Sequence, residues 1–191
     1  MRIIAGEFRS RTLEAPAGLA TRPTSDRLRE TLFNVLSARI AGAKFLDLYA
    51  GSGAVGMEAL SRGAASVEFV ERAPAALAVM RGNLARLGLT AGFRIHGVGV
   101  GAWLRRMKPG TAFDLVFLDP PYDAAEEYAV ALGLLGGAAV GVLAQGGLVI
   151  AEHRKKERLE ERYGELGRTR LLEQGDAALS FYAAGAVGAA E

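Results

Sequence analysis

The 191-residue chain contains no cysteine. That single absence excludes disulfides, thiolate catalysis and cysteine-ligated metals, and it is compatible with a reducing compartment. Only two histidines occur, His96 and His153, so a histidine-rich metal centre is not expected. Aromatic residues make up 7% of the chain while hydrophobic ones make up 50%, a globular composition, and the 25 glycines follow no repeat. No segment approaches a membrane span without charges or glycines, and Met1-Arg2-Ile3-Ile4-Ala5-Gly6 lacks the apolar stretch of a signal peptide. A soluble, cytoplasmic protein with no membrane or metal partner is expected. Its length suits one compact domain with a small appendage.

Charge is scarce in net terms, +2 overall, but unevenly placed. Residues 1–44 carry eight basic side chains against four acidic ones, an excess of four, so the remainder is acidic by two. A basic N-terminal segment of this kind can engage phosphate, although a solvated charged surface has the same composition.

Beyond that segment, short apolar runs alternate with helical patterns, the signature of successive βα units in a parallel sheet covered on both faces. The strands are expected at Lys44 to Ala50, Ser66 to Glu71, Phe93 to His96, Phe113 to Asp119 and Leu148 to Glu152. Helices are expected at Gly53 to Arg62, Pro74 to Leu87, Ala102 to Met107 and Ala124 to Leu135. Arg168 to Glu173 and Ala177 to Ala183 flank Gln174-Gly175-Asp176, so the chain should close on an antiparallel hairpin. At the front, Arg2 to Ile4 and Arg11 to Leu13 read as short strands. A helix follows a Thr24 or Ser25 cap, with Leu28, Leu32, Val35 and Leu36 in its apolar stripe and Arg27 and Arg29 off it. Glu152 to Arg162 is a mixed charge run that reads as a solvated face.

Two motifs carry chemistry. The first is Asp47-Leu48-Tyr49-Ala50-Gly51-Ser52-Gly53-Ala54-Val55-Gly56, which follows the first strand and opens a helix. Its glycines match the dinucleotide pattern, and Glu71 ends the next strand 20 residues after Gly51. Glycines admit a ligand close to the backbone, and the acid suits ribose hydroxyls. A carboxylate at Asp47 would repel a pyrophosphate and favour a cationic amino group, which directs the reading from nicotinamide toward S-adenosylmethionine.

The second motif is Asp119-Pro120-Pro121-Tyr122, directly after the buried run Phe113 to Leu118. Consecutive prolines hold the chain extended and remove two donors. A carboxylate, free carbonyls and an aromatic face then suit a planar base that carries an amino group. The same four residues would also serve as a plain structural turn.

Taken together, Phe45 to Gly53 and Asp119 to Tyr122 resemble the class I S-adenosylmethionine-dependent amino-methyltransferases. Arg2 to Gly6, Arg22-Pro23-Thr24-Ser25-Asp26-Arg27-Leu28-Arg29-Glu30-Thr31-Leu32-Phe33-Asn34 and Leu60 to Ala64 resemble, more narrowly, the RsmD family of bacterial ribosomal RNA methyltransferases. The likeness covers most of residues 1–122. It implies a Rossmann-like α/β fold: a mostly parallel seven-stranded sheet with a C-terminal antiparallel hairpin, helices on both faces and a small N-terminal extension. In that division residues 1–40 are the extension, 41–185 the methyltransferase domain, and the whole is one compact unit.

The resemblance further implies methylation of the N2 amino group of a guanine in small-subunit (16S) ribosomal RNA, within a small-subunit particle, with S-adenosylmethionine as methyl donor. By the same implication Asp119, Pro120, Pro121 and Tyr122 are catalytic. Asp47, Tyr49, Ala50, Gly51, Gly53, Glu71, Arg72, Gly99, Val100 and Asp119 contact the cofactor, and Arg9, Arg11, Arg22, Arg27 and Arg29 contact RNA. Many relatives place an aspartate or asparagine for the adenine where this chain has Gly99 and Val100. Adenine N6 methylation, a nicotinamide-dependent oxidoreductase and a non-catalytic RNA-binding module are the alternatives left open by the residues.

Overall fold

The protein is described by a computed structural model covering residues 1–15, 25–107, 112–121, 126–137 and 139–185. Arg22, Thr24, Tyr122 and the expected helix start at Ala124 lie outside the described residues. The chain divides into two compact units, Met1–Gly99 and Val100–Glu191. The N-terminal segment is hydrogen-bonded to a helix of the first unit at several points.

The first unit holds α1 (Asp26–Val35), β1 (Lys44–Leu48), α2 (Ala54–Ser61), β2 (Ser66–Val70), α3 (Pro74–Leu87) and β3 (Phe93–His96). Strand β2 lies between β1 and β3 and is parallel to both. The register aligns Leu48 with Val70 and Val70 with His96. The loops that leave these three strands therefore emerge along one edge, which is where the candidate cofactor residues sit. Ser25 caps α1 by accepting from the Leu28 N–H at 3.1 Å, settling which residue caps it. Pro74 opens α3 and Gly88, at φ +75°, closes it, as expected for a proline that has no N–H to lose and a glycine free to turn left-handed.

The second unit holds α4 (Val100–Arg106), β4 (Phe113–Leu118), α5 (Glu126–Leu135), a short 3-10 turn (Val140–Val142), β5 (Leu143–Arg154), β6 (Arg162–Tyr163), β7 (Leu166–Gln174) and β8 (Ala177–Ala184). Strand β4 is parallel to β5, while β5–β8, β8–β7 and β7–β6 are antiparallel. The C-terminal hairpin is thus present as expected. Eight strands are described where seven were expected. The additional one, β6, is two residues long and ends the mixed charge run, where no apolar alternation announces it. That run is not wholly a solvated face, because β5 continues through Arg154 and Leu159 is buried.

The two expected N-terminal strands reduce to one antiparallel bridge, Arg2 to Thr12. Ile3 and Leu13 are buried beside it, and the link to α2 is polar. Glu58 is fully buried on α2 and accepts from the N–H groups of Ile4 at 2.8 Å and Ala5 at 3.0 Å. The Arg62 Nε donates to it at 2.7 Å. Ser61 accepts from Phe8 N–H and donates to the Ala5 carbonyl.

Candidate active site

The glycine loop between β1 and α2 is built from residues in left-handed conformations: Tyr49 at φ +60°, Gly51 at +54° and Gly53 at +78°. For the two glycines that geometry costs nothing special, whereas a non-glycine residue such as Tyr49 is held there at a cost of about 1–2 kcal/mol. Strain of this kind persists where the surroundings over-determine the backbone, and it marks the loop as more than a connection. Close packing explains the third glycine. A Cβ on Gly56 would lie 2.3 Å from Phe69 Cε1 and 2.8 Å from Val67 Cγ1, so α2 approaches β2 only because Gly56 has no side chain.

Three side chains from three elements pin this loop. The Asp47 carboxyl, at the end of β1, accepts from the Gly56 N–H at 2.9 Å and so caps the first turn of α2. Glu71, just past β2, accepts from Gly51 N–H at 2.9 Å through one oxygen and from Ala73 N–H at 2.7 Å through the other. Asn83, on α3, donates to the Ser52 carbonyl at 3.1 Å. Asp47 and Glu71 were anticipated from spacing. Asn83 was missed, although a polar residue among Ala76, Leu77, Met80, Leu84 and Leu87 on the buried face of α3 was the available signal.

Asp47 is almost entirely buried. Burial pushes its carboxyl up to about 8; the Gly56 hydrogen bond pulls it down, and the neighbouring Glu71 charge adds to the rise. A carboxyl in this state ionises readily only when a positive charge arrives to replace the lost hydration.

Of the other expected cofactor residues, Tyr49, Ala50 and Gly51 are half-buried along the loop, Gly53 is buried, and Arg72 is exposed. Gly99 is half-buried, with nothing within 4 Å of where its Cβ would stand. Val100 is buried as the first residue of α4. In the second unit, Asp119 and Pro121 are half-buried and Pro120 is buried. All three follow the carboxyl end of β4, whose Leu118 pairs with Ala151 of β5.

Among the arginines, Arg9, Arg11 and Arg27 are exposed. A cavity of about 440 Å³ beside α1 is lined by Arg2, Arg9, Ser10, Asp26, Arg27 and Glu30, among others. Arg29 corrects the sequence expectation. Its side chain has no exposed area, donates to the Arg2 carbonyl and to Asp26 Oδ1 at 2.9 Å, and lies 3.8 Å from Glu58. It faces inward with Leu28, Leu32 and Phe33, and its charge is tolerated there because the buried Glu58 carboxylate compensates it. Arg29 therefore anchors the N-terminal segment and does not face a ligand.

Among the described residues, no helix is long and apolar enough to cross a membrane, and no group of three or more His, Asp or Glu side chains forms a metal cluster.

The family described as conserved hypothetical protein 95 matches residues 1–183. A Bacillus subtilis relative named "Putative rRNA methyltransferase YlbH" is 37% identical over 95% of this chain and 98% of its own length. The Escherichia coli protein named ribosomal RNA small subunit methyltransferase D is 44% identical over 64% of this chain, a match that spans 60% of that relative. The chain belongs to the RsmD family. Its fold agrees with that membership: an Escherichia coli structure titled "Putative methyltransferase yhhF" superposes with a TM-score of 0.82 at 34% identity, over 95% of this chain and 96% of that one. The RsmD-family chain thus has the class I methyltransferase fold, with the mostly parallel sheet and C-terminal antiparallel hairpin that its sequence implies.

Proposed function

We propose that this chain transfers a methyl group from S-adenosylmethionine to the exocyclic N2 amino group of a guanine in small-subunit (16S) ribosomal RNA, acting in the cytoplasm on a small-subunit particle. The observation that carries the choice of cofactor is the Asp47–Gly56 hydrogen bond of 2.9 Å. In dinucleotide enzymes the N–H groups at this helix start receive a pyrophosphate. Here a carboxyl already occupies that position, which disfavours a phosphate-bearing cofactor and favours one that ends in a cationic amino group. The loop suits the remainder of such a molecule at Gly51, where an added Cβ would meet only the Tyr49 carbonyl at 4.0 Å, so a ligand could approach the backbone closely there.

Bound S-adenosylmethionine supplies an electrophilic methyl group on a sulfonium. The chain's own residues do the rest in this reading. Glu71 is held as an acceptor by two backbone N–H groups, and its remaining lone pairs accept from the ribose hydroxyls. Asp47 compensates the amino group. The Asp119 carboxylate and Pro120 carbonyl accept the two N–H bonds of the guanine amine and orient its nitrogen. An aromatic amine is a poor nucleophile, so alignment and preorganised acceptors contribute more than strong acid-base chemistry. Tyr122 stacks on the extruded base. Arg9, Arg11, Arg22 and Arg27 contact phosphate, and residues 1–40 supply that RNA contact.

The test is to incubate the protein with labelled S-adenosylmethionine and small-subunit particles or their RNA, digest the RNA and identify the modified nucleoside by mass spectrometry. N2-methylguanosine is expected. N6-methyladenosine, or no transfer, would overturn the assignment.

A further inference from the structure

A primary amide buried on an apolar helix face is costly unless it is satisfied, and where it is satisfied it fixes whatever it bonds to. Asn83 has no exposed area and makes three hydrogen bonds. Its Oδ1 accepts from Glu14 N–H at 2.8 Å, and its Nδ2 donates to the Glu14 carbonyl at 3.0 Å and to the Ser52 carbonyl at 3.1 Å. The paired bonds to Glu14 set the orientation of the amide. Reversed, the amide would set NH2 against the Glu14 N–H and oxygen against two carbonyls. With the orientation set, the remaining N–H points at Ser52, the residue between Gly51 and Gly53.

A second contact joins the same two segments. The Glu14 carboxylate pairs with Arg86, three residues along α3, at 2.5 Å. It is largely exposed, unlike the amide.

We propose that Asn83 is a positioning residue for the methyl-transfer site: it holds the Ser52 peptide, and with it the glycine loop, in its cofactor-receiving conformation, and it ties that loop to the N-terminal segment at Glu14. The inference rests on the reading of the loop as the cofactor loop. Asn83 contacts neither cofactor nor RNA; it acts through Ser52. The loop is thereby fixed by Glu71 on Gly51, Asn83 on Ser52 and Asp47 on Gly56; removal of the middle tether takes away one of the two restraints on the Ser52–Gly53 peptide, whose N–H still donates to the Ala50 carbonyl at 2.7 Å.

The experiment is calorimetric titration of the full chain with S-adenosylhomocysteine, well below the melting temperature, for wild type, Asn83→Asp, Asn83→Ser and Glu14→Ala. Asn83→Asp keeps an acceptor for the Glu14 N–H but sets oxygen against the Ser52 carbonyl, and its dissociation constant is expected to rise about tenfold or more. Asn83→Ser, neutral and small, is expected to lose about fivefold, the equivalent of one net hydrogen bond. It carries the measurement should the aspartate fail to fold. Glu14→Ala removes only the ion pair and is expected to remain within twofold.

Turnover at saturating cofactor should stay within about threefold of wild type in the serine variant, so that the defect falls on KM. Hydrogen exchange of residues 50–56 should quicken in that variant without ligand. A purely packing role predicts a lower Tm with unchanged affinity, and that result would overturn the inference. Failure of the wild type itself to bind S-adenosylhomocysteine would instead overturn the cofactor reading on which it rests.

Discussion

Replacing Asp47 with asparagine should make the protein more stable and less able to bind its cofactor, with a pH dependence that identifies the cause. The carboxyl has a value of 3.8 when solvated and about 8 when folded. Between those limits the native state retains a proton that the unfolded chain has released. Stability from this group is therefore complete below pH 3.8, falls as pH rises through the window, and levels off above about 8. At pH 7 the difference corresponds to about 4 kcal/mol. Asparagine has nearly the same shape and can offer an oxygen to the Gly56 N–H, but it has no such ionisation cost. Its NH2 needs a partner, which takes back about 1–2 kcal/mol.

A net gain of about 2–3 kcal/mol translates into about 4–12 °C in Tm for a chain of this length. The variant should be less stable than wild type by about 1–2 kcal/mol around pH 4, where only the NH2 cost acts, and its gain should be greatest around pH 8. Thermal unfolding followed by circular dichroism at several pH values measures it. A gap that is independent of pH, or that shrinks as pH rises, would refute the reasoning. In parallel, wild-type affinity for S-adenosylhomocysteine should increase with pH up to about 8, because the ligand's cationic amino group favours the ionised carboxylate and binding releases its proton. The asparagine variant should lack that trend.

Asp119→Ala should lower turnover by about 100-fold or more while leaving S-adenosylhomocysteine affinity within a few-fold; single-turnover assays beside calorimetry separate the two, and near wild-type activity would remove Asp119 from the mechanism. Arg9→Gln and Arg27→Gln should each flatten the logarithmic salt dependence of RNA binding by about 0.7 to 0.9, whereas Arg29→Gln should instead destabilise the fold by about 3 kcal/mol in urea unfolding, because it leaves Glu58 buried with less compensation. Gly99→Asp adds a carboxylate where a Cβ meets nothing within 4 Å; if this position serves the adenine as in relatives, cofactor affinity should rise, and an unchanged or weaker dissociation constant would assign that function to the backbone.

Most of the sheet was legible because its strands are buried runs bounded by glycine, proline and charge. Phe93–His96 and Pro74–Leu87 coincide with their expected limits. Strand β5 was expected only from Leu148, yet the strand runs from Leu143. Pairing with β4 shifts register there, and a neighbour's hydrogen bonds sustain a strand that local propensity would not. The short β6 had no periodic signal. At the site, Asp47 and Glu71 were found by their spacing from the glycines, since both sit where strands end.

Sequence by itself determined the βα order, the terminal hairpin, the glycine loop with its two acids and the family, because these depend on short-range patterns of polarity, glycine and proline. Only the tertiary structure decided which arginines face outward. Arg27 and Arg29 are two residues apart on one helix, and helical rotation together with a buried carboxylate from α2 turns the second inward. It also decided that Asn83 belongs to the glycine loop and that the Asp47 carboxyl fills the helix start, since both depend on which backbone groups distant segments bring within hydrogen-bonding distance.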